Sequence, residues 1–140
     1  MSQENVDVVL AQFAAVNERD FGRAMAGYAE DVELFVHREA FLESGTFNGR
    51  DAVGRWFGDW FGTFEPGYHF DIEETRDLGN VVFLIASHRG RGRGSGVDVE
   101  GTTGYVYEVR DGKVAYVALY ATLSEAREKA EQRARGAADG

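Results

Sequence analysis

The chain contains no cysteine and a single proline among its 140 residues. Without a thiol there is no cysteine nucleophile, disulfide framework, iron–sulfur cluster or thiolate zinc site. The same absence fits a reducing, cytoplasmic setting. No apolar run approaches the ~18 residues that a bilayer crossing needs, so no membrane span is expected. The opening MSQENVDVV lacks the basic start and apolar block of a signal peptide. Basic residues are outnumbered, 15 against 24 acidic, for a formal charge of −9. Nucleic-acid phosphates would be repelled unless a basic patch were segregated. What is present is 44% hydrophobic and 13% aromatic residues, sufficient for one packed core. A single domain over residues 1–140 is expected, its ordered part about 3–133.

The first half has helical periodicity. Val6, Val9, Leu10, Phe13 and Val16 recur three and four apart, which predicts an amphipathic helix over about 3–19, with Ser2 as N-cap. Asp20 can cap a shorter helix over 21–30. Val32-Glu33-Leu34-Phe35-Val36 switches to a strand pattern, 37–46 reads as irregular, and Asn48-Gly49 introduces a third helix over about 50–64. Pro66-Gly67 ends that helix.

The second half reads as a β-meander, with strands over 68–76, 81–94, 97–110 and 113–121. Turn signals separate them: Leu78-Gly79-Asn80, Ser95-Gly96 and Asp111-Gly112. Thr122 and Glu125 form a capping-box pattern that opens a last helix to about 135. Residues 136–140 should fray.

Two glycine-rich stretches stand out. Arg89-Gly90-Arg91-Gly92-Arg93-Gly94 could be an arginine–glycine nucleic-acid tract. If Ser95-Gly96 is a two-residue turn, however, Arg93 faces Asp98, Arg91 faces Glu100 and Arg89 faces Thr102. A basic stripe that meets its own acids is a solvated sheet face, each such pair contributing roughly 0.2–1 kcal/mol. In the third helix, Gly54, Gly58 and Gly62 fall four residues apart, each costing roughly 0.8–1 kcal/mol against Ala. Such a stripe suggests close approach of another backbone. Val53, Phe57, Trp60, Phe61 and Phe64 supply an aromatic face, as expected of a core.

The order helix–helix–strand–helix and then a long meander resembles the nuclear-transport-factor-2-like fold, and more narrowly the SnoaL-like proteins, relatives of ketosteroid isomerase and limonene epoxide hydrolase. Asn17-Glu18-Arg19-Asp20-Phe21, Tyr28-Ala29-Glu30-Asp31-Val32-Glu33, Gly49-Arg50-Asp51-Ala52-Val53 and Asp111-Gly112-Lys113-Val114 carry the resemblance. It implies an α+β fold: a curved antiparallel sheet wrapped around helices in a cone (a cystatin-like α+β roll), with the ligand in its mouth. The isomerase's tyrosine would fall on Phe13, its base on Val36 and its second acid near Tyr105. The hydrolase's arginine would fall on Ala86, and its aspartates on His88 and Leu119. Neither catalytic set is retained. The superfamily hosts many reactions, so the resemblance does not fix one.

The same resemblance implies that Leu34, Val36, Phe70, Ile72, Val82, Leu84, Ala86, His88, Thr103, Tyr105, Tyr107, Val117 and Leu119 face inward. Hairpin parity agrees, setting His88 beside Thr103 and Ala86 opposite Tyr105. His88 is then the candidate proton-transfer residue, with Tyr105 or Tyr107 polarising a ligand oxygen. Phe13, Tyr28, Leu34, Val36, Trp60, Leu84, Ala86, Thr103, Tyr107 and Leu119 are the expected ligand-binding wall. His37, Arg38, Glu39 and Glu43 lie on a loop that could close over it. No metal-ligand spacing is present and no cofactor is expected. The outward set, including Phe83, Ile85, Val106, Tyr116 and Tyr120, is too apolar for a wet face, and a homodimer through it is expected. Two functions fit: an enzyme acting on a hydrophobic small molecule through His88, or a non-catalytic binder or dimeric scaffold.

Overall fold

The computed structural model describes residues 2–37 and 44–139. In chain order the elements are helices α1 (Ser2–Asn17) and α2 (Phe21–Ala26), strands β1 (Tyr28–Val36) and β2 (Gly45–Asn48), and helix α3 (Arg50–Gly62). Strands β3 (His69–Leu78), β4 (Val81–Arg91), β5 (Asp98–Arg110) and β6 (Lys113–Tyr120) follow, and helix α4 (Leu123–Asp139) ends the chain. The six strands form one open sheet in the order β2-β1-β6-β5-β4-β3. The sheet is mixed rather than purely antiparallel, because β1 runs parallel to β6, pairing Leu34 with Val117 and Val36 with Leu119. Among the described residues, no helix is long and apolar enough to cross a membrane.

Local chemistry explains most of the boundaries. The Asp20 side chain accepts from the Arg23 backbone N–H at 3.1 Å and starts α2. Asp111 and Gly112, at φ 53° and 74°, make the tight β5–β6 turn. The Thr122 hydroxyl accepts from the Glu125 N–H at the start of α4. Helix α2 stops at Ala26 rather than residue 30, because Lys113 Nζ and the Val114 N–H bind the carbonyls of Ala26 and Gly27 and pull the chain into β1. Strand β2 begins in the 37–46 stretch expected to be irregular and runs on to Asn48, where only a helix start was expected. Its four residues pair with Glu33–Val36 and are too few to show a period. Helix α4 continues through residues 136–139, where fraying was expected.

The β4–β5 register also differs. Arg91 faces Asp98 and Arg89 faces Glu100, a shift of two residues from the expected pairing. The turn is not Ser95-Gly96 alone. The Gly92 N–H binds the Val97 carbonyl and the Gly96 N–H binds the Gly92 carbonyl, and Gly94 and Gly96 adopt positive φ. A shift of two preserves which side each residue faces. His88 therefore pairs with Gly101, and Ala86 with Thr103.

The sheet has a packed layer on each face. Helices α1 and α3 bury Val6, Val9, Phe13, Val53 and Trp56 against Leu34, Val36, Val82, Leu84, Ala86, Val117 and Leu119. Ile72, expected inward, is 38% exposed on the edge strand β3, beside a bulge between Ile72 and Glu74. On the opposite face α4 lays Ala126 and Ala130 over Phe83, Ile85, Val106 and Tyr120. A Cβ at Gly104 would come within 2.5 Å of the Ala126 Cβ, so glycine there permits that approach. The apolar outer face from which a homodimer was expected is thus covered by the chain's own last helix. Phe83 is 1% exposed and Val106 1%.

Candidate functional site

A cavity of about 310 Å³ lies between the three N-terminal helices and the inner sheet face. Its deep wall is aromatic. Phe13 of α1 meets Phe70 at 5.1 Å, Tyr105 at 5.3 Å and Tyr107 at 6.1 Å, each edge to face. Asn17 fixes this corner: its side chain accepts from the Phe70 N–H at 2.9 Å and donates to the Phe70 carbonyl at 3.0 Å. Such a side-chain pair stands in for one rung of a strand ladder and ties α1 to β3.

The third wall explains the glycine stripe. Gly54, Gly58 and Gly62 all line the cavity. A Cβ at Gly58 or Gly62 would meet nothing within 4 Å, while one at Gly54 would meet the flexible end of Met25 at 2.6 Å. The expectation of a close backbone neighbour therefore fails at Gly58 and Gly62. The missing side chains leave space, and that space is the cavity.

Polar groups on the wall are few. Burial pushes the hydroxyls of Tyr28, Tyr105 and Tyr107 upward in pKa, so all three are neutral donors at ordinary pH. Gln12, 7% exposed, also lines the cavity, and its Oε1 is buried without a hydrogen-bond partner. Arg19 and Arg93 stand at the exposed side with Phe21, whose ring stacks on Phe61 at 5.7 Å. Arg93 closes the end of α3: its Nε donates to the Gly62 carbonyl at 3.1 Å and its Nη2 to the Phe64 carbonyl at 3.0 Å. Sequence reasoning placed Arg93 in a cross-strand pair with Asp98. It missed this role because the contact joins residues about thirty apart through a turn of unusual length.

Of the expected site residues, Phe13, Tyr28, Tyr105 and Tyr107 reach the cavity. Leu34, Val36, Leu84, Ala86 and Leu119 share the inner face but are at most 1% exposed in the core. Thr103 is buried beside them, opposite Ala86. Trp60 turns away from the cavity, stacking on Trp56 at 6.4 Å and donating to the Tyr68 hydroxyl at 3.0 Å.

His88 is not on the cavity wall either. Its ring sits 5.7 Å from Tyr68 and 6.3 Å from both Trp60 and Phe70. Phe70 itself faces the cavity, so its ring is the partition between the two. Burial lowers the His88 pKa, and its Nδ1 has no partner. A catalytic base needs reach to its substrate and an orienting group; His88 is not among the residues lining this cavity, and no group orients it through Nδ1. His37 lies outside the cavity wall, 3.6 Å from Glu125 and tilted against Tyr120. Arg38, Glu39 and Glu43 lie outside the described residues. Among the described residues, no cluster of three or more His, Asp or Glu is arranged to hold a metal ion.

The SnoaL-like domain matches residues 9–117. The chain belongs to the SnoaL-like family. No curated protein matches this SnoaL-like chain. Among solved structures, a protein from Jannaschia sp. CCS1 named as a SnoaL-like polyketide cyclase is 18% identical, with TM-score 0.76 and 86% of each chain covered. TerC, co-crystallised with polyporic acid, is 19% identical at TM-score 0.72, covering 91% of this chain and 98% of TerC. An NTF2-like protein from Burkholderia xenovorans LB400 is 24% identical at TM-score 0.69, covering 91% and 96%. At these identities the likeness is one of fold, and the fold is NTF2-like.

Proposed function

We propose that this SnoaL-like chain binds a hydrophobic, ring-bearing small molecule in the cavity beneath α3, with tyrosine hydroxyls holding an oxygen of the ligand. The observation that carries the reading is the glycine face of α3. Glycines inside a helix cost stability, as at Gly54 and Gly58, and neither Gly58 nor Gly62 has a neighbour that needs the room. Size supports the ligand class. A cavity of about 150 Å³ holds benzene, so about 310 Å³ suits two or three fused or linked rings. The wall supports it as well, with Phe13, Phe57, Phe61 and Phe70 offering ring edges and faces. A polyketide cyclase and a protein crystallised with polyporic acid share the fold, which is consistent with a polycyclic or aromatic ligand.

Binding is favoured over acid–base turnover by the wall chemistry. Among the described residues lining the cavity, the ionisable groups are arginines and upshifted tyrosines. These can donate hydrogen bonds and polarise a carbonyl, but none is a base near neutral pH. Calorimetric titration with 2-naphthol tests the proposal. The native chain should bind one equivalent. Gly58→Phe, which fills the void, should weaken binding by at least about tenfold while the melting temperature holds, because Phe has the better helix propensity. Equal affinity in Gly58→Phe, or no binding by the native chain, would overturn it.

A further inference from the structure

We infer that the mouth of this cavity selects ligands bearing an anionic oxygen group, such as a carboxylate or an ionised enol or phenol, through Arg19 and Arg93. The inference rests on the binding site proposed above and adds the charge of what it takes. The chain as a whole is acidic, at −9, yet the cavity lining carries two arginines and no carboxylate. Local acids are already engaged. Glu18 and Asp20 flank Arg19 in sequence, but both pair with Arg23, at 3.2 and 3.8 Å. Neither Arg19 nor Arg93 has a carboxylate partner among the ion pairs of the described residues. Arg93 is held in place by the carbonyls that end α3, which engage its Nε and Nη2 and leave Nη1 for a ligand. Arg19 lies over Phe21, its Cζ 5.4 Å from the ring centroid, so the guanidinium stands beside an aromatic surface at the entrance.

The backbone supplies an independent sign. Arg19 occupies a left-handed conformation, φ 59°, in the turn between α1 and α2, where glycine would be unstrained. Strain held at a cavity mouth points to a side chain retained for what it contacts. A guanidinium offers paired, planar donors that match a carboxylate. An apolar body would then enter the aromatic interior while the charge stays at the solvent edge, where little desolvation is required.

The test compares 2-naphthoate with 2-naphthol, which share one ring body, by calorimetry at pH 7.5 and low salt. The native chain should prefer the naphthoate by about tenfold, as two charge-assisted contacts allow. Arg19→Gln should reduce that preference about threefold, and raising NaCl to about 0.5 M should do likewise. Lys129→Gln, which makes the same change in net charge on the exposed side of α4, should leave it unchanged. Arg19→Gly should reduce the preference to the same extent while raising the melting temperature. A naphthol preference, or one insensitive to Arg19 and salt, overturns the inference while Gly58-dependent naphthol binding still stands. If neither compound binds in a Gly58-dependent manner, the underlying site is wrong.

Discussion

His88 sits with an unpartnered Nδ1 among Tyr68, Trp60 and Phe70, and burial holds its pKa below the ordinary value. Linkage gives the sign of its effect. The unfolded chain takes up a proton near the usual value of about 6.5, and the folded chain only at lower pH. The stability it confers is fully present above about 6.5 and is lost as pH falls through the folded pKa. His88→Phe should therefore flatten the acid side of the stability profile below about pH 6.5, as measured by urea unfolding. Because Phe70 screens this position from the cavity, His88→Phe should also leave naphthol binding intact. Loss of binding would return His88 to the site. The inward facing of His88 follows from strand parity and was legible in the sequence. Its separation from the cavity was not, since that depends on where the rings of Phe70 and Trp60 fall. The Asn17 clamp on Phe70 was equally hidden, because nothing local links residues 53 apart.

Helix α3 shows how one element balances stability against space. Gly58→Ala and Gly62→Ala place a methyl where nothing lies within 4 Å. Gly58→Ala, in the helix interior, should stabilise the fold by roughly 0.8–1 kcal/mol in denaturant titration, and Gly62→Ala, at the last helical residue, by less, each with only modest loss of cavity volume. On the other face, Gly104→Val should do the reverse. Its Cβ alone would overlap Ala126, so α4 must lift, at a cost of about 1–3 kcal/mol. The helices and long strands were readable because their apolar periods run over many residues. The glycine stripe was visible too, but a glycine that admits a neighbour and one that leaves a void look the same in sequence. The β4–β5 register slipped because Gly92 to Val97 forms a wider turn than Ser95-Gly96 suggests.

Across the whole molecule, apolar surface on both sheet faces is covered within one chain, by α1 and α3 on one side and α4 on the other. The ground for a homodimer through the outer sheet face is therefore met internally. Truncation before Leu123 should uncover Phe83, Val106 and Tyr120 and drive self-association, visible in light scattering. Of the arginine stripe, Arg91 lies 3.2 Å from Asp98, an exposed pair worth at most about 1 kcal/mol, while Arg93 binds the carbonyls of Gly62 and Phe64 instead. The fold class, the helices and long strands, and the facing of most strand residues were thus legible from pattern and resemblance, whereas β2, the parallel β1–β6 pairing and the exposure of Ile72 were not. The cavity's position, off-centre beneath α3 rather than deep in the sheet, emerges only from packing. The most direct test is amide NMR mapping with saturating 2-naphthoate. Gly54, Gly58 and Gly62, together with Phe13 and Tyr105, should show the largest shifts, while α4 stays still. Shifts centred on α4 and the outer sheet face, or none in α3, would contradict the account.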